Sequence, residues 1–478
     1  MSLPKELMHP ELMVIGDSLA QGCRSLTVNA SLCAQSWGAR VAGTQAWRFA
    51  TPDFPRPILF DLEYEVRHLG EVVSIAPSDV TFGGFVTRFI DNLRAWLRNK
   101  KESKHICFDN LGLAGAKISD VLERSAFSSD QFIKAQFPNG ASGPIHLPRS
   151  AIGDLHIAIN GRFTLNPSQD PAYERFTPIE WVRQRLPRRL FVQIGHNHGL
   201  YSIGGDAKNV PFDGIDQNGK TFRESFTALA NKLGDLPSDV QQIVCLFLPK
   251  VGAVANLRPQ DSSRNGGYSE SYEPVFSTSK GVLTGKQLSE IDTRIRNVNL
   301  ELKQILVNAI QGTRLALVDT YSFFDAYDYK NTLDSTKRIA IEKGTDIDNF
   351  YLHGKLIPQI PPKIGSPPLI KKLARGGFQN IDGMHPSGCG YAFLASHVMD
   401  ALKLPHDVKN LLQKAYLEDE LLHNFPLKLD LLVAVLAQLR TAMLLEAVAL
   451  PETTMISEAQ EEIHIADAIA LMKQVATR

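Results

Sequence analysis

The sequence predicts an α/β domain of three layers, a parallel sheet between two layers of helices, and three observations carry that expectation. Five short apolar runs end in small or polar residues, as buried strands of a parallel sheet do: Leu12 to Gly16, His105 to Phe108, Leu190 to Gly195, Gln242 to Leu248 and Leu315 to Asp319. Segments with helical spacing lie between them, among them Phe85 to Leu97, Phe222 to Leu233 and Ile291 to Ile310. The two kinds of segment alternate along the chain. Alternation of this sort requires right-handed β-α-β crossovers and places ligand sites beyond the carboxyl ends of the strands.

The intervals between strands exceed what a β-α-β unit needs, with about 90 residues between the first two and roughly 80 between the next two, so the connections are expanded into decorations. Pro259 to Lys280 is polar and rich in Ser and Gly, and reads either as a lid over a site or as a solvated surface loop. Leu356 to Gly377 is rich in Pro and Gly. Past Leu404 the texture changes to helix formers: Val408 to Asn424, Leu427 to Leu450 ended by Pro451, and Ser457 to Thr477, where Ser457 and Gln460 have the spacing of a capping box. Residues 1–404 therefore read as one domain with insertions and residues 405–478 as a helical extension. Its apolar residues, such as Leu432, Val435, Leu439, Met443 and Leu444, either dock on the main domain or pair with a second subunit as a homo-oligomer.

Composition removes several function classes. The 478 residues carry 51 Lys and Arg against 51 Asp and Glu, and a net charge of zero lacks the long-range field of a nucleic-acid or anionic-membrane binder. No nucleic-acid partner is expected. The five cysteines (23, 33, 107, 245 and 389) form no C-x-x-C pair and are too few for a disulfide framework, so they read as reduced, buried thiols. The longest apolar stretch, Leu427 to Leu450, is interrupted by Asp430, Arg440 and Glu446, which argues against an integral membrane span. The opening MSLPKELMHPELMVIGDS lacks a basic flank before an apolar core, so no signal peptide is read and a cytoplasmic location is the expectation.

Four segments carry chemistry. In VIGDSLAQG, Val14 to Gly22, Ser18 directly follows the first strand and stands at the carboxyl edge of the sheet. A serine hydroxyl is a weak nucleophile at neutral pH; it needs an imidazole to take its proton and a carboxylate to orient that imidazole. Asp382-Gly383-Met384-His385-Pro386 offers both from one turn. Asn110 to Gly115 follows the second strand, and Gly115, without a side chain, can bring its backbone N–H against a substrate oxyanion. Gly195-His196-Asn197-His198 follows the third strand, with the Asn197 amide as a further donor. The histidines 196 and 198 lack a nearby Cys or acidic partner, and no metal or other cofactor is expected. A G-x-S-x-G nucleophile elbow is absent, which speaks against the α/β-hydrolase class.

In this order the four segments resemble the blocks of the GDSL or SGNH hydrolases, a family of esterases and lipases named for Ser, Gly, Asn and His, here Ser18, Gly115, Asn197 and His385. The resemblance runs from about Leu12 to Ala395 and implies a flavodoxin-like sheet, a triad of Ser18, His385 and Asp382, and an oxyanion hole of Ser18, Gly115 and Asn197. One position departs from the pattern, since the family's third block has Asp where this chain has His198. The implied activity is hydrolysis of a carboxylic ester, whether of a lipid, a simple acyl ester or an acetylated sugar. An acyltransferase with the same triad and a low-activity interaction protein on the same fold are the alternatives. Trp37, Trp47, Phe49, Phe54 and Phe60 line up either as an acyl pocket or as stacked core aromatics.

Overall fold

The strand Leu12–Gly16 (β1) is apolar at every position up to its final glycine because it is an interior strand of a sheet covered on both faces. In the computed structural model, which describes residues 3–59, 61, 64, 82–98, 103–142, 151–210, 221–261, 267–274, 281–342, 345–349, 377–380 and 382–418, β1 pairs in parallel with a strand on each side. These are β2 (Asn110–Gly112) and β3 (Arg189–Gln193). Next along the sheet come β4 (Gln242–Leu246) and then Leu315–Val318, which becomes β8 once the short strands β5 (Leu257–Pro259), β6 (Ser271–Pro274) and β7 (Leu283–Thr284) are counted. The order across the five-stranded parallel sheet is β2-β1-β3-β4-β8.

Alternate residues of the strands feed two separate cores. Met13 and Ile15 of β1 join Leu190, Val192, Ile243 and Cys245, packed under the helices Ile118–Glu123, Ala151–Leu165, Pro178–Arg185, Phe222–Gly234 and Gly285–Ala309. Leu12 and Val14 join Phe191, Val244 and Val318 on the opposite face, beneath the helices Trp37–Thr44, Gly388–Ala401 and Val408–Glu418. Period-two alternation thus serves two apolar faces instead of one apolar and one wet. Trp37 belongs to this second core: its ring stacks on Phe191 at 5.5 Å and its Nε1–H donates to Gln193 Oε1 at 2.6 Å. Phe54 sits in the first core against Trp96 and Phe163. Both are core aromatics, while Phe60 lies outside the described residues.

One strand differs from its expected place. His105 to Phe108 is not in the ladder; the second strand is Asn110–Gly112, with Val14 opposite Asn110 and Gly16 opposite Gly112. Cys107 and Phe108 are apolar because they fill the core before the chain reaches β1. Pairing begins only where the Asp109 carbonyl accepts the Val14 N–H at 2.8 Å. The strand itself opens on a buried Asn110 whose side chain donates to the Ala20 carbonyl, so a search for apolar runs passes over it.

The helix expected from Ile291 starts earlier, at Gly285, because Thr284 and Gln287 close a capping box at its amino end. The described part of Pro259 to Lys280 is neither lid nor solvated loop. It contributes to the antiparallel sheet β5-β6-β7, where Tyr272 is fully buried and donates its hydroxyl to Asn331 Oδ1 at 2.6 Å. Of the expected tail, the helix Val408–Glu418 docks on the same chain through Leu412, Ala415 and Tyr416, with Glu418 paired to Arg40. Leu427 to Leu450 and Ser457 to Thr477 lie outside the described residues, as does all of Leu356 to Gly377 except its last residue. Among the described residues no helix is long and apolar enough to cross a membrane. None of the five cysteines forms a disulfide, and all are buried.

Candidate active site

β1 ends where the chain must pass closest to β3. A side chain at Gly16 would place its Cβ 2.0 Å from the Gln193 carbonyl oxygen, so only glycine fits. The next residue, Asp17, is fully buried and caps the short helix Ser18–Gln21, its Oδ1 accepting the Leu19 N–H at 3.2 Å. Ser18 therefore opens a helix directly beyond the strand.

The imidazole that faces Ser18 comes from the far end of the described chain. Asp382 folds its own turn, Oδ1 accepting the N–H groups of Met384 and His385 at 2.9 Å each. His385 N–H thereby stays beside its own orienting carboxylate. The imidazole Nδ1–H donates to Asp382 Oδ2 at 2.7 Å, which leaves the Nε2 lone pair to accept the Ser18 hydroxyl at 3.0 Å. Ser387 follows Pro386 and caps the helix Gly388–Ala401 through the Gly390 N–H, anchoring the turn to a core helix.

Electrostatics fits this geometry. Burial alone would raise the Asp382 pKa; the charge of a protonated His385 and the hydrogen bonds from the His385 ring and from the Met384 and His385 amides reverse that and hold it below the usual carboxylate value. Burial likewise works against a charged His385. The Cys23 thiol and the Asp382 carboxylate beside it overcome this and raise its pKa well above 6.5.

Gly115 and Asn197 reach the same edge of the sheet through a chain of hydrogen bonds. The Leu113 N–H donates to the Gly16 carbonyl at 2.9 Å, and the Ala114 N–H to Gln21 Oε1 at 2.8 Å, so the second block is bound to the strand and helix that present Ser18. Asn197 Nδ2 donates one hydrogen to the Ala116 carbonyl at 2.9 Å and retains the other. Gly115 has φ of +88°, and a Cβ there would press on Ile157 at 2.9 Å. The Ser18 and Gly115 amides have no hydrogen-bond partner among the described residues. Two backbone donors and one side-chain donor thus lie beyond the carboxyl ends of β1, β2 and β3.

Both histidines of the third block hold the loop. His196 Nδ1–H donates to Asp17 Oδ2 at 2.6 Å, joining the third block to the first. His198 Nε2 accepts the Ile118 N–H at 3.1 Å at the start of the helix Ile118–Glu123, and its ring lies edge-on to Phe222. An aspartate at this position would accept the same amide, so the imidazole does that job in neutral form with its proton on Nδ1.

No protein-family model, curated protein or solved structure matches this chain.

Two site features were not anticipated from the sequence. Arg24 and Thr27 exchange backbone hydrogen bonds across a two-residue turn in which Ser25 and Leu26 have φ of 54° and 55°. Asn-Gly usually fills such a turn because other side chains are strained there. The Leu26 N–H of this turn donates to Asp382 Oδ2 at 2.9 Å, the same oxygen that holds His385. The other feature is the buried Gln21, three positions after the serine and hydrogen-bonded across the structure to Asn160.

Proposed function

We propose that this protein is a serine hydrolase of the GDSL or SGNH type that cleaves carboxylic esters through an acyl-enzyme on Ser18. The observation that carries the reading is the continuous relay from Ser18 Oγ to His385 Nε2 and from His385 Nδ1 to a buried Asp382. The five-stranded parallel sheet, the placement of all four blocks at its carboxyl edge and the acceptor role of His198 support it. In this reading the long intervals between strands are family-specific insertions into a flavodoxin-like core, and residues 405–478 form an added helical extension.

Ser18 Oγ attacks the ester carbonyl carbon while its proton passes to His385 Nε2, and the carbonyl oxygen becomes an oxyanion facing the Ser18 and Gly115 amides and the Asn197 side chain. Collapse of the tetrahedral intermediate expels the alcohol, which leaves with the proton from His385. Water then gives a proton to the same nitrogen and attacks the acyl-enzyme. The second collapse returns that proton to Ser18 and releases the carboxylic acid.

The test is turnover of a p-nitrophenyl ester by the folded Ser18→Ala variant. The triad reading expects loss of all but the residual catalysis that binding and oxyanion donors supply, a drop on the order of 10⁵- to 10⁶-fold in kcat. Unchanged turnover would overturn it. Addition of glycerol to the same assay distinguishes hydrolysis from acyl transfer by the product formed.

A further inference from the structure

Gly115 supplies one of the three oxyanion donors, yet its loop contains no side chain that fixes it from within. Besides the Leu113 bond to Gly16 and the Asn197 bond to Ala116, its constraints come from Ala151–Leu165, a helix in the long interval between β2 and β3. Contacts from that helix reach the peptide groups around Gly115 by one relay through Gln21 and by two side chains directly. Asn160 and Gln21 form a reciprocal amide pair, Gln21 Nε2 donating to Asn160 Oδ1 at 2.9 Å and Asn160 Nδ2 donating to Gln21 Oε1 at 2.8 Å. Gln21 Oε1 also accepts the Ala114 N–H at 2.8 Å. The His156 ring donates to the Ala114 carbonyl, and burial lowers its pKa to about 4, so the donor is a neutral imidazole across the working pH range. Ile157 closes the space beside the Gly115 Cα.

The Ala114 N–H is thus held through Gln21 and Asn160, and the Ala114 carbonyl, which shares a peptide group with the Gly115 N–H, is held by His156, one turn away on the same face of the helix. Gln21, Asn160 and Thr164, whose hydroxyl donates to Asn160 Oδ1, are all fully buried. An oxyanion donor stabilises a transition state only if its orientation is set before the reaction, since reorganising it during the reaction forfeits the gain. A neutral amide pair suits that purpose because it fixes direction without a charge that would alter the titration of His385.

We propose that Asn160 is a positioning residue for the oxyanion hole, acting through the Gln21 amide and the Ala114 N–H to aim the Gly115 N–H. This inference rests on the hydrolase reading. Asn160 touches neither substrate nor Ser18, so its effect falls on kcat and not on ground-state binding.

The test compares Asn160→Leu with the double variant Gln21→Leu/Asn160→Leu, using a p-nitrophenyl ester, a trifluoromethyl ketone as tetrahedral analogue, and urea denaturation. The single variant leaves the Gln21 amide buried with unmet hydrogen bonds and is the less stable of the two; the double variant removes both polar partners and regains stability. The expected result is a fall in kcat on the order of 10- to 100-fold in both, part of the 10²- to 10³-fold loss for removal of a whole donor. KM stays within about twofold and the ketone weakens in step with kcat/KM. Activity that recovers with stability in the double variant, or a rise in KM at constant kcat, overturns the inference. Wild-type protein that fails to turn over the ester and is not labelled by a fluorophosphonate instead overturns the hydrolase reading, and this inference with it.

Discussion

Replacing Asp382 with Asn tests the part of the site where the structure leaves the least freedom. Asp382 Oδ1 accepts two amides and Oδ2 accepts both His385 Nδ1–H and the Leu26 N–H. In Asp382→Asn the amide oxygen keeps the two amides of its own turn, which forces the NH₂ group to face His385 and Leu26. A donor then meets two donors. His385 responds by moving its proton to Nε2, which turns the Ser18 acceptor into a donor and removes the general base. The same change of tautomer in a serine protease triad costs about 10⁴ in kcat, and at about 1.36 kcal/mol per tenfold this is about 5.4 kcal/mol of barrier. Leaving the Leu26 amide opposed by a donor costs a further 1 to 3 kcal/mol or so of folding stability. The assay is steady-state hydrolysis of a short-chain p-nitrophenyl ester from pH 5 to 10 alongside urea denaturation of both proteins. A kcat within about tenfold of wild type, from a variant that folds, would refute the assignment of Asp382 as the orienting carboxylate.

The other expectations follow from the same contacts. Because His385 must be neutral to accept the Ser18 proton and its pKa stands well above 6.5, kcat/KM rises with pH along a limb on the alkaline side of the ordinary histidine range; a profile already flat at pH 6 would contradict this. Leu26→Gly keeps the backbone amide that reaches Asp382 and relieves the positive φ while giving up the packing of the side chain on the core, so kcat stays within about twofold of wild type, and a loss of more than tenfold from the folded variant would count against the backbone N–H as the contribution of this residue. His156 has a folded pKa of about 4 against 6.5 when unfolded, so the unfolded chain binds the extra proton and stability falls as pH drops from 6.5 towards 4. His156→Gln removes that contribution, and an unaltered slope of stability against pH over this window would refute the assignment.

How much of this was legible in the sequence depends on the range of the interactions. β1 was readable to its last residue because both of its faces are buried, so its sequence is an unbroken apolar run. β2 was not, since its first residue is a buried asparagine held by the Ala20 carbonyl and its apolar approach belongs to the core. The start of the Gly285–Ala309 helix lay in a Thr284/Gln287 pair that hydrophobic spacing does not register. In the site, Ser18, Asp382 and His385 stood out because local turn chemistry fixes each of them. Gln21 and Asn160 did not, because two neutral amides 139 positions apart leave no mark on composition or spacing. Leu26 escaped notice for a different reason: its contribution is a backbone N–H, which any residue except proline supplies.

The central claim is that Ser18 is a nucleophile activated by His385 and Asp382. Its most direct test is mass spectrometry of the protein after exposure to a fluorophosphonate, followed by mapping of the modified peptide. The account predicts one adduct per chain on Ser18, absent from Ser18→Ala and strongly slowed in His385→Ala. An unmodified Ser18 in folded wild-type protein, or equal labelling of the His385→Ala variant, would contradict it.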